Sequence, residues 1–266
     1  MIKGLYTAHT GMVNEMNRLD VLTNNLANAD TTAYKKEGTT SRTFADELAI
    51  KIKDTSHYGL HQTIGEMSLV THLGQVYTDY SSGSIEVTDN ETDFAIDGNG
   101  FFAVAFTDKE GNTSVKYTRD GNFVVDNQGY LRTKDGDYVL NAIGAQTTNP
   151  DPANYVQVNP TAKFAVDELG YIFQNEEMVG TIGVIDFENY DYLEKYGENM
   201  YNLVEGGVII ASDASLRQGM LETSNVNVVD EMVDMIAIQR AYEAGQKVIT
   251  SIDETLATTV TLGKVQ

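Results

Sequence analysis

The chain of 266 residues has no cysteine, three prolines, four histidines, and 18 basic residues against 39 acidic ones. Without cysteine, disulfides and thiolate metal sites are excluded, and the redox compartment is left open. The net charge of −21 and a pI near 4.4 argue against nucleic acid, whose phosphates demand a basic face. They equally disfavour an anionic membrane surface. No apolar run approaches the roughly 18 residues of a membrane span, and Met1–Asp30 holds no continuous apolar signal-peptide core. Export by a cleaved signal and direct membrane insertion are therefore not expected.

What is present begins with spacing. Leu5, Met12, Leu19 and Leu26 lie seven residues apart, with Ala8, Glu15 and Leu22 between them. Val228, Met235, Tyr242, Ile249 and Leu256 repeat the period at the other end, with Ile238, Gly245 and Ile252 between. A seven-residue apolar period marks a helix that packs lengthwise on another helix. The first helix is predicted over about Lys3 to Asn28, roughly 39 Å of rod at 1.5 Å per residue. Gly4 and Gly11 each cost about 1 kcal/mol against alanine. Burial of one leucine contributes roughly 1.5–3 kcal/mol, so packing on a partner outweighs them. The last helix is predicted from near Asn227, with Asn225 or Asn227 as cap, to about Leu262.

Charge follows the same division. Residues 1–30 carry two basic and three acidic groups, and residues 225–266 carry three and six, which leaves a net −17 on residues 31–224. The ends suit close packing, and the middle is a solvated, self-repelling surface. Thr43–Ile52 has a short helical period (Phe44, Leu48, Ile52), and Asp54–Ser84 reads as an extended arm with short strands. From Ile85 the period is two, as in Phe94/Ile96, Phe102/Val104/Phe106 and Phe123/Val125. Turn signals such as Asp120-Gly121-Asn122 and Asn127-Gln128-Gly129 separate the strands, and the prolines at 150–160 mark a loop. Asn189–Tyr196 allows one or two helical turns. The fold class is α+β: long N- and C-terminal helices in a coiled-coil-like layer, with an inserted, mainly antiparallel β domain. The expected segments are 1–30, an assembly helix; 31–84, an arm; 85–220, the β-rich middle; and 221–266, a second assembly helix.

Chemistry-bearing clusters give little. The Asp/Asn/Gly loops offer hard oxygens but not the spacing of a calcium loop. Glu176-Glu177 could be a general acid–base pair, yet adjacent carboxylates are expected by chance among 39 acids. His57 and His61 stand four apart, with Gly59 against a helix between them. Gly98-x-Gly100 lacks the third glycine of a phosphate loop. No catalytic, cofactor or metal residue is assigned, and no cofactor is expected.

Four segments carry a resemblance. Leu22–Lys35, with Thr23-Asn24-Asn25-Leu26-Ala27-Asn28-Ala29-Asp30-Thr31-Thr32, resembles the signature after the first helix of the flagellar rod and hook axial proteins. Ile96–Val104 is similar to that family's glycine-rich strand, and Tyr117–Phe123 to a second strand motif. Leu221–Met232, with Ser224-Asn225-Val226-Asn227-Val228, and Gln239-Arg240-Ala241-Tyr242-Glu243 resemble its closing segment. The family's usual glycine after Thr31-Thr32 is Ala33 here. Length and a modest middle domain resemble rod members, distal first and proximal next, more than the longer hook subunit.

The resemblance implies a non-enzymatic subunit of a hollow helical tube that transmits torque and conducts exported subunits. Paired terminal helices would form the inner layer. Its partners would be copies of itself, neighbouring rod and hook proteins, the flagellar type III export machinery and envelope ring proteins. It also implies an assembly interface of Leu5, Ala8, Met12, Leu19, Leu22, Asn24, Asn25, Leu26, Asn28, Thr31, Thr32, Ser224, Asn225, Val228, Met232, Met235, Ile238, Gln239, Arg240, Tyr242, Ile249, Ile252 and Leu256. Two rival readings are a secreted carbohydrate-binding or carbohydrate-active β domain with helical oligomerisation ends, and a cap or regulatory protein of the same export system.

Overall fold

A computed structural model of the chain describes residues 2–43, 47–51, 62–67, 70–147, 150–197 and 199–263. Contacts divide it into two units. One holds residues 1–27, 36–79 and 226–266; the other holds 28–35 and 80–225.

The helical unit is built on α1, Ile2–Ala27, and α2, Val228–Gly263. Both lie close to the predicted bounds because the seven-residue stripes and the caps are local signals. Asn227 is the cap of α2: its Oδ1 accepts the Val229 N–H at 3.1 Å. Asp230 and Glu231 then sit in the first turn, where the helix dipole favours negative charge. The helices run antiparallel, with Gly4 beside Ile252, Met12 beside Gly245, and Asn25 bonded to Glu231. The strand Glu37–Thr43 pairs with Thr71–Thr78, and this ribbon packs on α1. Glu47–Lys51 pairs with Gln62–Met67 as a strand, where the apolar spacing predicts a short helix. Phe44 and Ile52 of that pattern, and His57 and His61, lie outside the described residues. No helix among the described residues is long and apolar enough to cross a membrane.

The β unit centres on Phe101–Thr107. This strand pairs with Thr113–Thr118, Tyr138–Val139 and Val184–Phe187, within a nine-stranded sheet. Phe101 to Ala105 are all buried, since both faces of the sheet are covered. Phe102 and Val104 enter one core with Phe94, Ile96, Phe123 and Leu131. Phe101, Ala103 and Ala105 enter another with Tyr117, Ile185, Phe187 and Tyr201. Every strand pairing described is antiparallel. Across Asn189–Tyr196 a single 3-10 turn, Tyr190–Tyr192, leads directly into the strand Leu193–Gly197.

One hairpin occurs twice. Phe123-Val124-Val125-Asp126-Asn127-Gln128-Gly129-Tyr130 and Phe164-Ala165-Val166-Asp167-Glu168-Leu169-Gly170-Tyr171 share their pattern and their turn. In each, the glycine N–H donates to the aspartate carbonyl at 2.8 Å, and the aspartate N–H donates to the tyrosine carbonyl at 2.9 Å. Gly129 and Gly170 hold φ of 88° and 85°, which explains glycine at that step.

Candidate assembly surface

In α1, Leu5, Ala8, Met12, Glu15, Leu19, Leu22 and Leu26 are each half-buried. Glu15, which interrupts the stripe, is held by Arg18 at 3.0 Å. In α2 the more enclosed positions are Glu231, Met235, Ile238, Gly245, Ile249 and Ile252. Val228, Tyr242 and Leu256, on the predicted stripe, are exposed, as are the expected interface residues Met232, Gln239 and Arg240. The helix seam is thus carried mainly by the residues between those predicted to lead it. Gly245 is part of it: a Cβ there would stand 2.7 Å from Met12 Cγ.

The pair leaves much of α2 uncovered. Val229, Val233 and Ile236, at the i, i+4, i+7 spacing of one helical face, are 63%, 60% and 50% exposed. Beside the seam, Glu15, Met16, Leu19, Ile238, Tyr242 and Glu243 border a groove of about 360 Å³.

Polar side chains fix where this unit closes. Asn25 is buried; its Nδ2 donates to the Glu37 carbonyl at 2.8 Å, and its Oδ1 accepts the Glu37 N–H at 3.0 Å. The same Nδ2 reaches Glu231 Oε2 at 3.3 Å. Glu231 is fully buried and paired with Lys36. The Glu231 hydrogen bond holds the Lys36 ammonium above its ordinary range, against the opposing effect of burial. Asn24 stays exposed.

In the β unit, residues 28–35 zip onto 222–225. The Ala33 N–H donates to the Glu222 carbonyl at 2.8 Å, and the Asn225 N–H to the Tyr34 carbonyl at 3.4 Å. Asn225 Nδ2 also donates to the Ser81 carbonyl at 3.2 Å. The half-buried Thr32 accepts the Asn199 amide at 2.7 Å through its carbonyl. The Thr31 N–H closes a turn on the half-buried Asn28, and Ser224 is also half-buried. Ala33 keeps a φ of 56° and is buried. The backbone therefore retains the left-handed turn that a glycine would suit, with alanine in it.

Beneath this zipper lies a charge cluster whose members come from three of the quoted segments. Glu222 is 2% exposed. Its Oε1 accepts Lys35 Nζ at 2.7 Å, Gly83 N at 2.8 Å and Ser82 Oγ at 3.1 Å. Its Oε2 accepts Arg119 NH1 at 3.1 Å. Lys35 and Arg119 are themselves buried, and each also donates to a carbonyl, Ser81 and Gly98 respectively. Burial alone would raise the Glu222 carboxyl, but the two cations and their hydrogen bonds hold it below its ordinary range. Lys35 and Lys36, neighbours in the chain, each meet a buried carboxylate in a different unit. Lys35 and Glu222 stand 187 residues apart, so only the quoted motifs around them hinted at the pair.

Three family models match in chain order. "Flagella basal body rod protein" covers residues 5–35, "Flagellar hook protein FlgE/F/G D1 domain" covers 95–174, and "Flagellar basal body rod FlgEFG protein C-terminal" covers 217–262. The chain belongs to the flagellar basal-body rod and hook protein family, and its place is the basal body of the flagellum. Relatives along the whole length include rod proteins. It is 34% identical to the flagellar basal-body rod protein FlgG of Bacillus subtilis, over 98% of this chain and 99% of that protein. It is 33% identical to the flagellar basal-body rod protein FlgF of Caulobacter vibrioides, over all of both chains. It is 32% identical to the FlgG rod protein of Buchnera aphidicola subsp. Schizaphis graminum, over 96% and 98%.

Proposed function

We propose that this chain is a structural subunit of the flagellar rod, of the distal type, and not an enzyme. Copies polymerise through their terminal helices into a coiled-coil-like layer that lines a hollow tube. The tube transmits torque to the hook and conducts exported subunits. Neighbouring rod and hook proteins cap its ends, the export machinery delivers it, and envelope ring proteins surround it. The observation that carries this reading is the face of Val229, Val233 and Ile236, which the antiparallel pair leaves exposed. Exposed apolar side chains at helical spacing are the contact that a neighbouring helix needs. Most helical stability in proteins comes from packing of an apolar face, so assembly and helix formation reinforce each other.

Limited proteolysis of the purified monomer tests it. Cleavage is expected within residues 1–30 and 221–266, leaving a resistant core near 85–220. A monodisperse monomer that keeps Leu5–Leu26 intact would overturn assembly-coupled folding.

A further inference from the structure

The second copy of the repeated hairpin differs from the first in what it shows to solvent. The strand Tyr171–Gln174 alternates, with Ile172 and Gln174 buried and Tyr171 and Phe173 exposed. Phe173 lies opposite Met178 on one neighbouring strand and Ala165 on the other, so these side chains share the outer face. Met178 is 57% exposed, and Leu169 at the hairpin tip is 76% exposed. This is an apolar sheet face on the most acidic part of the chain. Its rim is acidic as well. Phe173 and Ala165 border a cleft of about 670 Å³ shared with Asp89, Glu91, Lys163 and Glu176. Lys163 is the one cation lining it among the described residues, and it is paired with Glu91 at 3.0 Å.

Going beyond subunit polymerisation, we propose that this face docks a different protein, through a segment in which lysine or arginine flanks apolar side chains. The apolar residues of that segment cover Phe173 and Met178, and a cation enters the cleft beside Asp89, Glu176 and the Phe173 ring. A second copy of this chain is the poorer occupant, because it would bring a net charge of −21 against the same acidic rim. An apolar patch with a rim of one charge sign is the arrangement that selects a partner of the opposite sign.

The test uses the full chain labelled at methionine methyls. The probe is a seven-residue peptide alternating lysine with leucine, and the control is the same peptide with glutamate for lysine. The Met178 methyl is expected to shift saturably with the lysine peptide, at lower concentration than the exposed Met16 and Met232 methyls. The dissociation constant is expected to rise about tenfold between 50 and 500 mM salt, as screening weakens the rim. The charge variant Asp89→Lys/Glu176→Lys, at exposed positions, should weaken binding by at least about tenfold while the other methyl signals stay in place. Phe173→Ser should weaken it independently. Equal shifts with both peptides, saturation of Met16 or Met232 at lower peptide concentration than Met178, or a Met178 shift driven by protein concentration alone would overturn the proposal. So would a Met178 shift with soluble chitin oligosaccharides in place of the peptide.

Discussion

Replacing Glu222 with glutamine keeps the shape of the side chain and removes its charge. In the native protein one buried carboxylate faces two buried cations, Lys35 and Arg119, at 2.7 and 3.1 Å. Glutamine leaves both cations in a dry site, and its amide N–H groups repel at least one of them. Removing one partner of a buried ion pair costs about 3–5 kcal/mol, mostly the desolvation of the charge left behind. With a urea slope of about 2 kcal/mol/M for a unit of this size, the midpoint of the β unit should fall by roughly 2 M. The Lys35→Met background checks the cause. There the same change should cost distinctly less, because one of the orphaned cations is gone. The native pair also sets a pH window. The folded carboxyl lies below its ordinary 4.5, so its contribution is present above that value and is lost as pH falls further. A midpoint loss corresponding to less than about 1 kcal/mol, or full additivity with Lys35→Met, would rule out the buried ion cluster as a source of stability.

Three other outcomes follow from single features. Ala33→Val should cost about 2–3 kcal/mol in thermal or urea unfolding, since a β-branched residue is strained at φ 56°, whereas Ala33→Gly should stay within about 0.5 kcal/mol. Gly245→Leu gains about 1 kcal/mol of helix propensity but drives a side chain into Met12, where overpacking costs about 1–3 kcal/mol. A net loss of helical circular dichroism stability is expected, restored by Met12→Ala. Burial raises the Asp120 carboxyl above its ordinary value, so its ionisation opposes folding as pH rises. Asp120→Asn should therefore gain stability relative to the native chain between pH 4 and pH 7, read as a widening difference in melting temperature.

How much of this was legible in the sequence depends on range. The helices were legible because a stripe such as Leu5–Leu26 and a cap such as Asn227 act within a few residues. The hairpins were legible for the same reason, since Asp-x-x-Gly fixes its own turn. Glu47–Lys51 reads either way because Phe44, Leu48 and Ile52 fit a helical period while Leu48, Ile50 and Ile52 fit a period of two, and pairing with Gln62–Met67 decides. The seam of α2 was only half legible. A heptad stripe names two adjacent rows, and the close approach of Met12 to Gly245 marks the row, with Ile238 and Ile252, that turns inward. The Glu222 cluster was legible only in that Lys35, Arg119 and Glu222 each lie in a quoted segment; nothing local pairs them. Charged residues read as surface, and what buries these is the meeting of segments 28–35, 81–83, 119 and 222.

In the proposed rod, the exposed face of α2 joins neighbouring subunits. Val233→Asp/Ile236→Asp places two charges on that face without touching the seam at Ile238. Basal bodies isolated from cells carrying only this variant can be counted for complete rods by electron microscopy. The expected result is variant protein at native abundance with rods that stop before the hook. Complete rods at the native frequency would contradict it.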